Sequence, residues 1–148
     1  MKSKLLISLL LAVVMLVTLA TPALAAKPEK GHLMRQSGEP SGYGKYSFQA
    51  THNNDLKFTV VIRDATPNKD YRLYVWHSST PNPYPDGDAY SVANVTTDDR
   101  GNLRYTGILP DPGAFFGSEY FVMQVRRDPY AYNSHAFIGY AENIFFKP

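Results

Sequence analysis

Aromatic side chains carry the most suggestive chemistry in this sequence. Tyr74 and Trp76 are two residues apart, which places them on one face of a strand, and Tyr84 and Tyr90 flank the proline-rich segment 78–88. Flat rings on a sheet face stack against sugar rings, and a tyrosine hydroxyl adds a hydrogen bond. These four residues form a candidate carbohydrate-binding surface, for example for cell-wall glycan. The competing interpretation is that the rings pack within the two covered faces of a central strand.

Loop carboxylates are the second candidate set. Asp86 and Asp88 are separated by one glycine, and Asp98 and Asp99 are adjacent. Oxygen ligands from such loops bind Ca²⁺ in exported proteins, so calcium is the one cofactor that the sequence suggests. The alternative is turn chemistry, because aspartate and glycine are also the residues that tight turns require.

The sequence offers little for catalysis, and we expect no enzyme. No serine stands in a Gly-x-Ser-x-Gly motif, and the chain contains no cysteine. Its histidines, His32, His52, His77 and His135, have none of the spacings typical of metal sites. A small metal-assisted hydrolase with ligands assembled from distant strands is the third and weakest functional hypothesis.

Residues 1–25 have the three-part pattern of a cleavable signal peptide. Lys2 and Lys4 precede the apolar run 5–17, and Ala23 and Ala25 are the small residues that a signal peptidase needs. We place cleavage after Ala25, with the following alanine as the alternative. The run is shorter than the ~20 apolar residues of a membrane-spanning helix, which disfavours an uncleaved anchor. We therefore expect a secreted or cell-envelope protein that meets the membrane only during export.

Removal of that segment changes the charge balance. The full chain has 15 Lys and Arg against 13 Asp and Glu, and loss of Lys2 and Lys4 leaves 13 against 13. Because a balanced surface exerts no long-range attraction on phosphate backbones, we expect no nucleic-acid partner. The absence of cysteine excludes both a lipid-modified cysteine and disulfide bonds.

The remaining chain is typical of one all-β domain at 43–148, preceded by a polar, flexible leader at 26–42 that contains a short edge strand near 32–35. Apolar and polar residues alternate most cleanly from Leu56 to Arg63. Turn residues separate these segments, as in a β-sandwich of seven to eight short, mostly antiparallel strands. The predicted strands are 43–50, 56–63, 71–76, 91–97, 103–109, 120–127, 136–140 and 143–146. The loop 110–118 carries the pair Phe115 and Phe116.

Two stretches resemble known families. The segment Ala65-Thr-Pro-Asn-Lys-Asp-Tyr71-Arg-Leu-Tyr-Val75 resembles the corner of immunoglobulin-like and fibronectin type III-like sandwiches. There a tyrosine, here Tyr71, hydrogen-bonds backbone upstream and fixes the corner. Residues 96–105, with 107–110 and 120–122, resemble bacterial prealbumin-like and carboxypeptidase-regulatory-like domains. Both resemblances imply an immunoglobulin-like sandwich that serves as a binding, spacing or adhesive module, and they cover about a quarter of the exported chain.

The sequence therefore predicts an exported, non-enzymatic β-sandwich with a binding or structural role in the envelope or matrix. The alternative is a carbohydrate-binding or adhesion module that uses the aromatic set. Its expected partners are cell-wall glycan or another envelope protein.

Overall fold

A computed structural model describes residues 27–78, 88–110, 117–127 and 134–146 of this chain. These residues form eight strands and no helix: β1 Glu29–Arg35, β2 Tyr43–Ala50, β3 Leu56–Arg63, β4 Asp70–Ser78, β5 Asp88–Thr96, β6 Leu103–Leu109, β7 Gly117–Arg127 and β8 His135–Phe146. Within these ranges, no helix exists that could cross a membrane. The predicted all-β class is confirmed.

All strand pairs are antiparallel, and the eight strands form one nearly closed sheet in the order β5-β4-β7-β8-β1-β2-β3-β6. We call β1-β2-β3-β6 the first half-sheet and β5-β4-β7-β8 the second. β1 joins the halves, because Glu29–Leu33 pair with β2 whereas Met34 and Arg35 pair with β8. β1 is therefore an interior strand.

This strand lies where the sequence predicts a leader with only a short edge strand near 32–35. Apolar–polar alternation does not indicate β1, since only Leu33 of its seven residues is buried. Backbone pairing with β2 and β8 holds the strand, and backbone pairing cannot be detected from the spacing of apolar residues. The leader thus contributes an interior strand to the sheet.

The inward residues of the two halves form one core. β2 and β3 alternate between buried and more exposed positions, which confirms the period-two prediction for Leu56–Arg63. Phe48 of the first half packs against Phe121 of the second with 5.6 Å between ring centroids, and both side chains are fully buried. The other large buried side chains include Phe58, Tyr71 and Phe137.

A buried hydrogen-bond cluster fixes the corner before β4. The Tyr71 hydroxyl donates to Glu39 Oε2 at 2.8 Å, and Glu39 Oε1 accepts from the Thr66 backbone amide at 3.0 Å and its hydroxyl at 2.6 Å. Both the glutamate and the tyrosine are buried. Burial and the adjacent carboxylate raise the pKa of Tyr71. The Tyr71 hydroxyl therefore bonds a carboxylate from the β1–β2 connection, whereas the resemblance implies a bond to the backbone.

A single strand, β8, replaces the two predicted at 136–140 and 143–146. Glu119 pairs with Ile144 whereas Phe121 pairs with Ala141, so β8 has one extra residue at this point. A β-bulge of this kind interrupts the alternation of side chains without ending the strand. The break in apolar–polar alternation between the two predicted strands therefore corresponds to this bulge and not to the end of a strand.

Candidate binding surfaces

Tyr74 and Trp76 lie together on the outer side of the second half-sheet. Register places Tyr74 beside Gln124 and Trp76 beside Val122, and β8 continues these rows with Ile138 and Tyr140. We call this surface the aromatic face; it comprises Tyr74, Trp76, Val122, Gln124, Arg126, Ile138 and Tyr140. Tyr74 and Trp76 are half-buried.

The centre of the aromatic face is buried. The Arg126 guanidinium carbon lies 4.3 Å from the centroid of the Tyr74 ring, a cation–π contact. Its Nε and Nη2 donate to Gln124 Oε1 at 3.0 and 2.8 Å. Val122, Gln124 and Arg126 are all buried. One side of the Tyr74 ring is thus already occupied, while Tyr140 is 46% exposed.

Tyr90 does not join Tyr74 and Trp76. It pairs with Val75, whereas Trp76 pairs with Ala89, so register assigns Tyr90 to the opposite side of the sheet. A β-bulge between Leu73 and Tyr74 causes this, because a one-residue slip exchanges the two faces of a strand. Tyr84 lies outside the described residues, as do Phe115 and Phe116.

Of the four aspartates predicted as calcium ligands, the structure describes the side chains of Asp98 and Asp99. Asp98 Oδ1 accepts from the amides of Arg100 at 2.9 Å and Asn102 at 2.7 Å, which closes the β5–β6 turn. The Asn102 amide is the main cause that lowers the pKa of Asp98. Asp99 is exposed in the same turn. Asp86 and the side chain of Asp88 lie outside the described parts, within which no group of three or more acidic or histidine side chains could hold a metal.

The four histidines lie on separate elements. His32 is exposed on β1, and His52 is exposed in the β2–β3 turn. His77 is buried on β4, with Nε2 2.9 Å from Glu119 Oε2. Burial lowers the pKa of His135 at the start of β8. The pair of His77 on β4 and Glu119 on β7 is a buried acid–histidine contact.

The most distinctive surface is the outer side of the first half-sheet, which we call the basic face. Register places on it the side chains of Lys30, His32, Tyr43, Lys45, Ser47, Gln49, Lys57, Thr59, Val61, Arg63, Arg104, Thr106 and Ile108. Five are lysine or arginine, and none is aspartate or glutamate. All five cations are exposed, and within the described residues none forms an ion pair.

Four of these cations form a zigzag across four adjacent strands. Lys30, Lys45, Arg63 and Arg104 succeed one another as diagonal neighbours on adjacent strands. Diagonal neighbours in an antiparallel sheet are about 7–8 Å apart. We call these four residues the cation zigzag. His32 lies directly opposite Lys45, beside the cation zigzag.

Hydroxyl groups fill the space between the cations. Ser47, Thr59 and Thr106 form one row across β2, β3 and β6, and the two threonine hydroxyls are 3.0 Å apart. A shallow depression of about 380 Å³ lies beside this row, lined in part by Lys30, His32 and Lys45 together with Ser47 and Thr59. The face therefore combines positive charge with short hydrogen-bonding groups.

Sequence reasoning missed this surface because it used the net charge. The outward positions of β2 and β3 follow directly from their alternation, and they already contain Lys45, Lys57 and Arg63. What alternation does not supply is the lateral strand order. The order brings β1 and β6 to either side of this pair and adds Lys30 and Arg104.

Comparison with known proteins adds no relative. No protein-family description, curated protein sequence or solved structure matches this chain.

Proposed function

We propose that this protein is an exported, non-enzymatic binding protein of the cell envelope or matrix, and that the basic face is its binding surface. The observation that carries the proposal is the segregation of charge. Thirteen outward positions hold five cations and no carboxylate, in an exported chain whose acids and bases are equal in number.

Such a surface carries an energetic cost without a ligand. Like charges that face one another across strands destabilise a sheet, and opposite charges would stabilise it by roughly 0.2–1 kcal/mol per pair. On the basic face the like charges are diagonal neighbours on adjacent strands, as Lys45 is to Arg63 and Arg63 to Arg104, and long side chains at such positions are within reach of one another. An anionic ligand would offset this repulsion.

The sandwich architecture is also a proposal. It is supported by the contact of Phe48 with Phe121 between the two half-sheets and by the buried Tyr71 corner. The proposed immunoglobulin-like and prealbumin-like relationship rests on the sequence resemblance alone. Export rests on the signal pattern of residues 1–25.

A binding assay with the envelope of the producing cells tests the proposal. The exported chain, residues 26–148, is mixed with a washed envelope fraction, and the sedimented protein is measured. We expect Lys45→Gln/Arg104→Gln to reduce binding strongly. The matched control Lys69→Gln/Arg100→Gln removes the same charge outside the face and should bind like the parent chain. Equal binding by the two variants would reject the basic face.

The aromatic face is the second candidate, for a neutral glycan. Its support is Tyr140, which is 46% exposed in the row that contains Trp76. The two rings are separated by one strand, about 10 Å. Neutral cell-wall polysaccharide should quench Trp76 fluorescence, and Tyr140→Ala should weaken that response. An unchanged spectrum across a broad polysaccharide panel would remove this candidate.

A further inference from the structure

Resting on the proposed function, we infer that the ligand of the basic face is an acidic polysaccharide, a polymer with repeated carboxylate, sulfate or phosphate groups. Charge complementarity gives the first reason. Within the described residues, no carboxylate pairs with the five cations, so their charge is available to a ligand. A polymer that neutralises several such cations also releases bound counterions, which strengthens binding at low salt.

The arrangement of the charges favours a polymer over a single small anion. The cation zigzag crosses β1, β2, β3 and β6 in three diagonal steps of about 7–8 Å. The zigzag extends over three strand spacings, about 14 Å in all, so its four cations cannot all contact one phosphate or carboxylate. They match a chain that presents one acidic group after another along its length.

The neutral side chains of the face favour a sugar backbone. Ser47, Thr59 and Thr106 cross the middle of the face as a row of hydroxyls. Hydroxyl groups donate and accept hydrogen bonds, as sugar hydroxyls do. The depression beside Lys30 and Lys45 provides a recess for one acidic substituent.

Two other polyanions fit this face less well. Single-stranded nucleic acids are bound by arrays of large aromatic rings, and the face has one tyrosine, Tyr43, at its end and no phenylalanine or tryptophan. Peripheral membrane binding requires a buried apolar surface together with basic residues. The exposed apolar side chain Ile108 lies two rows from Arg104, at the opposite end from Tyr43, so the face has no continuous apolar patch.

Titration of residues 26–148 with defined probes tests the inference. The probes are polygalacturonate and dextran sulfate. Single-stranded DNA and phosphatidylglycerol vesicles are compared at equal charge concentration, and neutral dextran at equal mass concentration. At 20 mM salt, we expect the acidic polysaccharides to bind and neutral dextran not to bind. Lys45→Gln/Arg104→Gln should weaken binding about tenfold or more, which corresponds to about 1.4 kcal/mol. The variant's affinity should also depend less on salt: the magnitude of the negative slope of log K against log salt should decrease by about 1–2.

Two further variants separate charge from misfolding. Lys69→Gln/Arg100→Gln should leave the affinity unchanged, and Lys45→Arg/Arg104→Lys should retain it because the charges remain. Circular dichroism and Trp76 fluorescence establish that each variant is folded.

The outcomes distinguish this inference from the proposed function. Envelope binding that depends on Lys45 and Arg104, without binding of either acidic polysaccharide, would overturn the inference and leave the proposed function standing. Tighter binding of DNA or vesicles than of both polysaccharides would overturn it in favour of that ligand class. Acidic polysaccharides that bind the face variant and the parent chain equally would overturn both assignments of the surface.

Discussion

Neutralising the cation zigzag should stabilise the ligand-free protein. The four-site variant Lys30→Gln/Lys45→Gln/Arg63→Gln/Arg104→Gln removes three diagonal repulsions between neighbouring strands. Two unit charges 8 Å apart in water repel by about 0.5 kcal/mol. At 10 mM salt the Debye length is about 30 Å, so most of this repulsion persists, and the three pairs together amount to about 1 kcal/mol.

Salt should abolish the effect. In 1 M salt the Debye length falls to about 3 Å, well below the distance between neighbouring cations. We therefore expect the four-site variant to melt about 3–5 °C above the parent chain at 10 mM salt and within about 1 °C of it at 1 M. Urea denaturation followed by Trp76 fluorescence, at both salt concentrations, measures the same difference as a free energy of unfolding.

A control variant that loses two cations outside the basic face should not be stabilised. Lys69 and Arg100 lie next to aspartates in the sequence, and the charge of Arg100 helps to lower the pKa of Asp98. Lys69→Gln/Arg100→Gln should therefore leave stability unchanged or lower it slightly at 10 mM salt. A four-site variant that is destabilised at low salt, or whose effect does not depend on salt, would refute the argument that the basic face stores repulsion.

Other parts of the structure give further predictions. Glu39→Ala should cost about 3–5 kcal/mol in urea denaturation, because it leaves buried donors without an acceptor; a cost below 1 kcal/mol would contradict the cluster. Tyr71→Phe should cost about 1–3 kcal/mol at neutral pH. The raised pKa of Tyr71 stabilises the fold below the ordinary tyrosine value of about 10. This contribution is lost as pH rises above 10, so parent and variant should converge there in alkaline melts. Gly139→Ala should destabilise the protein severely, since a methyl group there collides with the buried Tyr46 ring, and thermal melting checks this. Calcium should not raise the melting temperature through Asp98, whose carboxylate already closes its turn; a rise that Asp98→Asn abolishes would contradict this.

The parts of the fold that sequence predicts best are those with strict alternation. β2 and β3 could be assigned with their bounds, because every inward residue is apolar and every second residue is more exposed. The same alternation gives the outward positions of two strands of the basic face. Local pattern is sufficient wherever one strand buries one face.

Two features of the candidate sites are not encoded in local pattern. The bulge in β5 moves Tyr90 away from Trp76, and the slip that causes it is set by the pairing of two strands. Glu39 lies 32 residues before Tyr71, and its role depends on a fold that brings the β1–β2 connection to the β4 corner. Both features depend on contacts between distant segments, so they cannot be predicted from local sequence patterns.

The position of β1 has a consequence for how the chain folds. Its last two residues pair with Ile138 and Phe137 of β8, about 100 positions further along the sequence. Bringing such distant segments together costs loop-closure entropy before the pairing returns any free energy, and folds dominated by such contacts form slowly. The hairpin of β2 and β3 can form early from local contacts. The two half-sheets, by contrast, are connected only when β8 pairs with β1, so this pairing should be among the last to form.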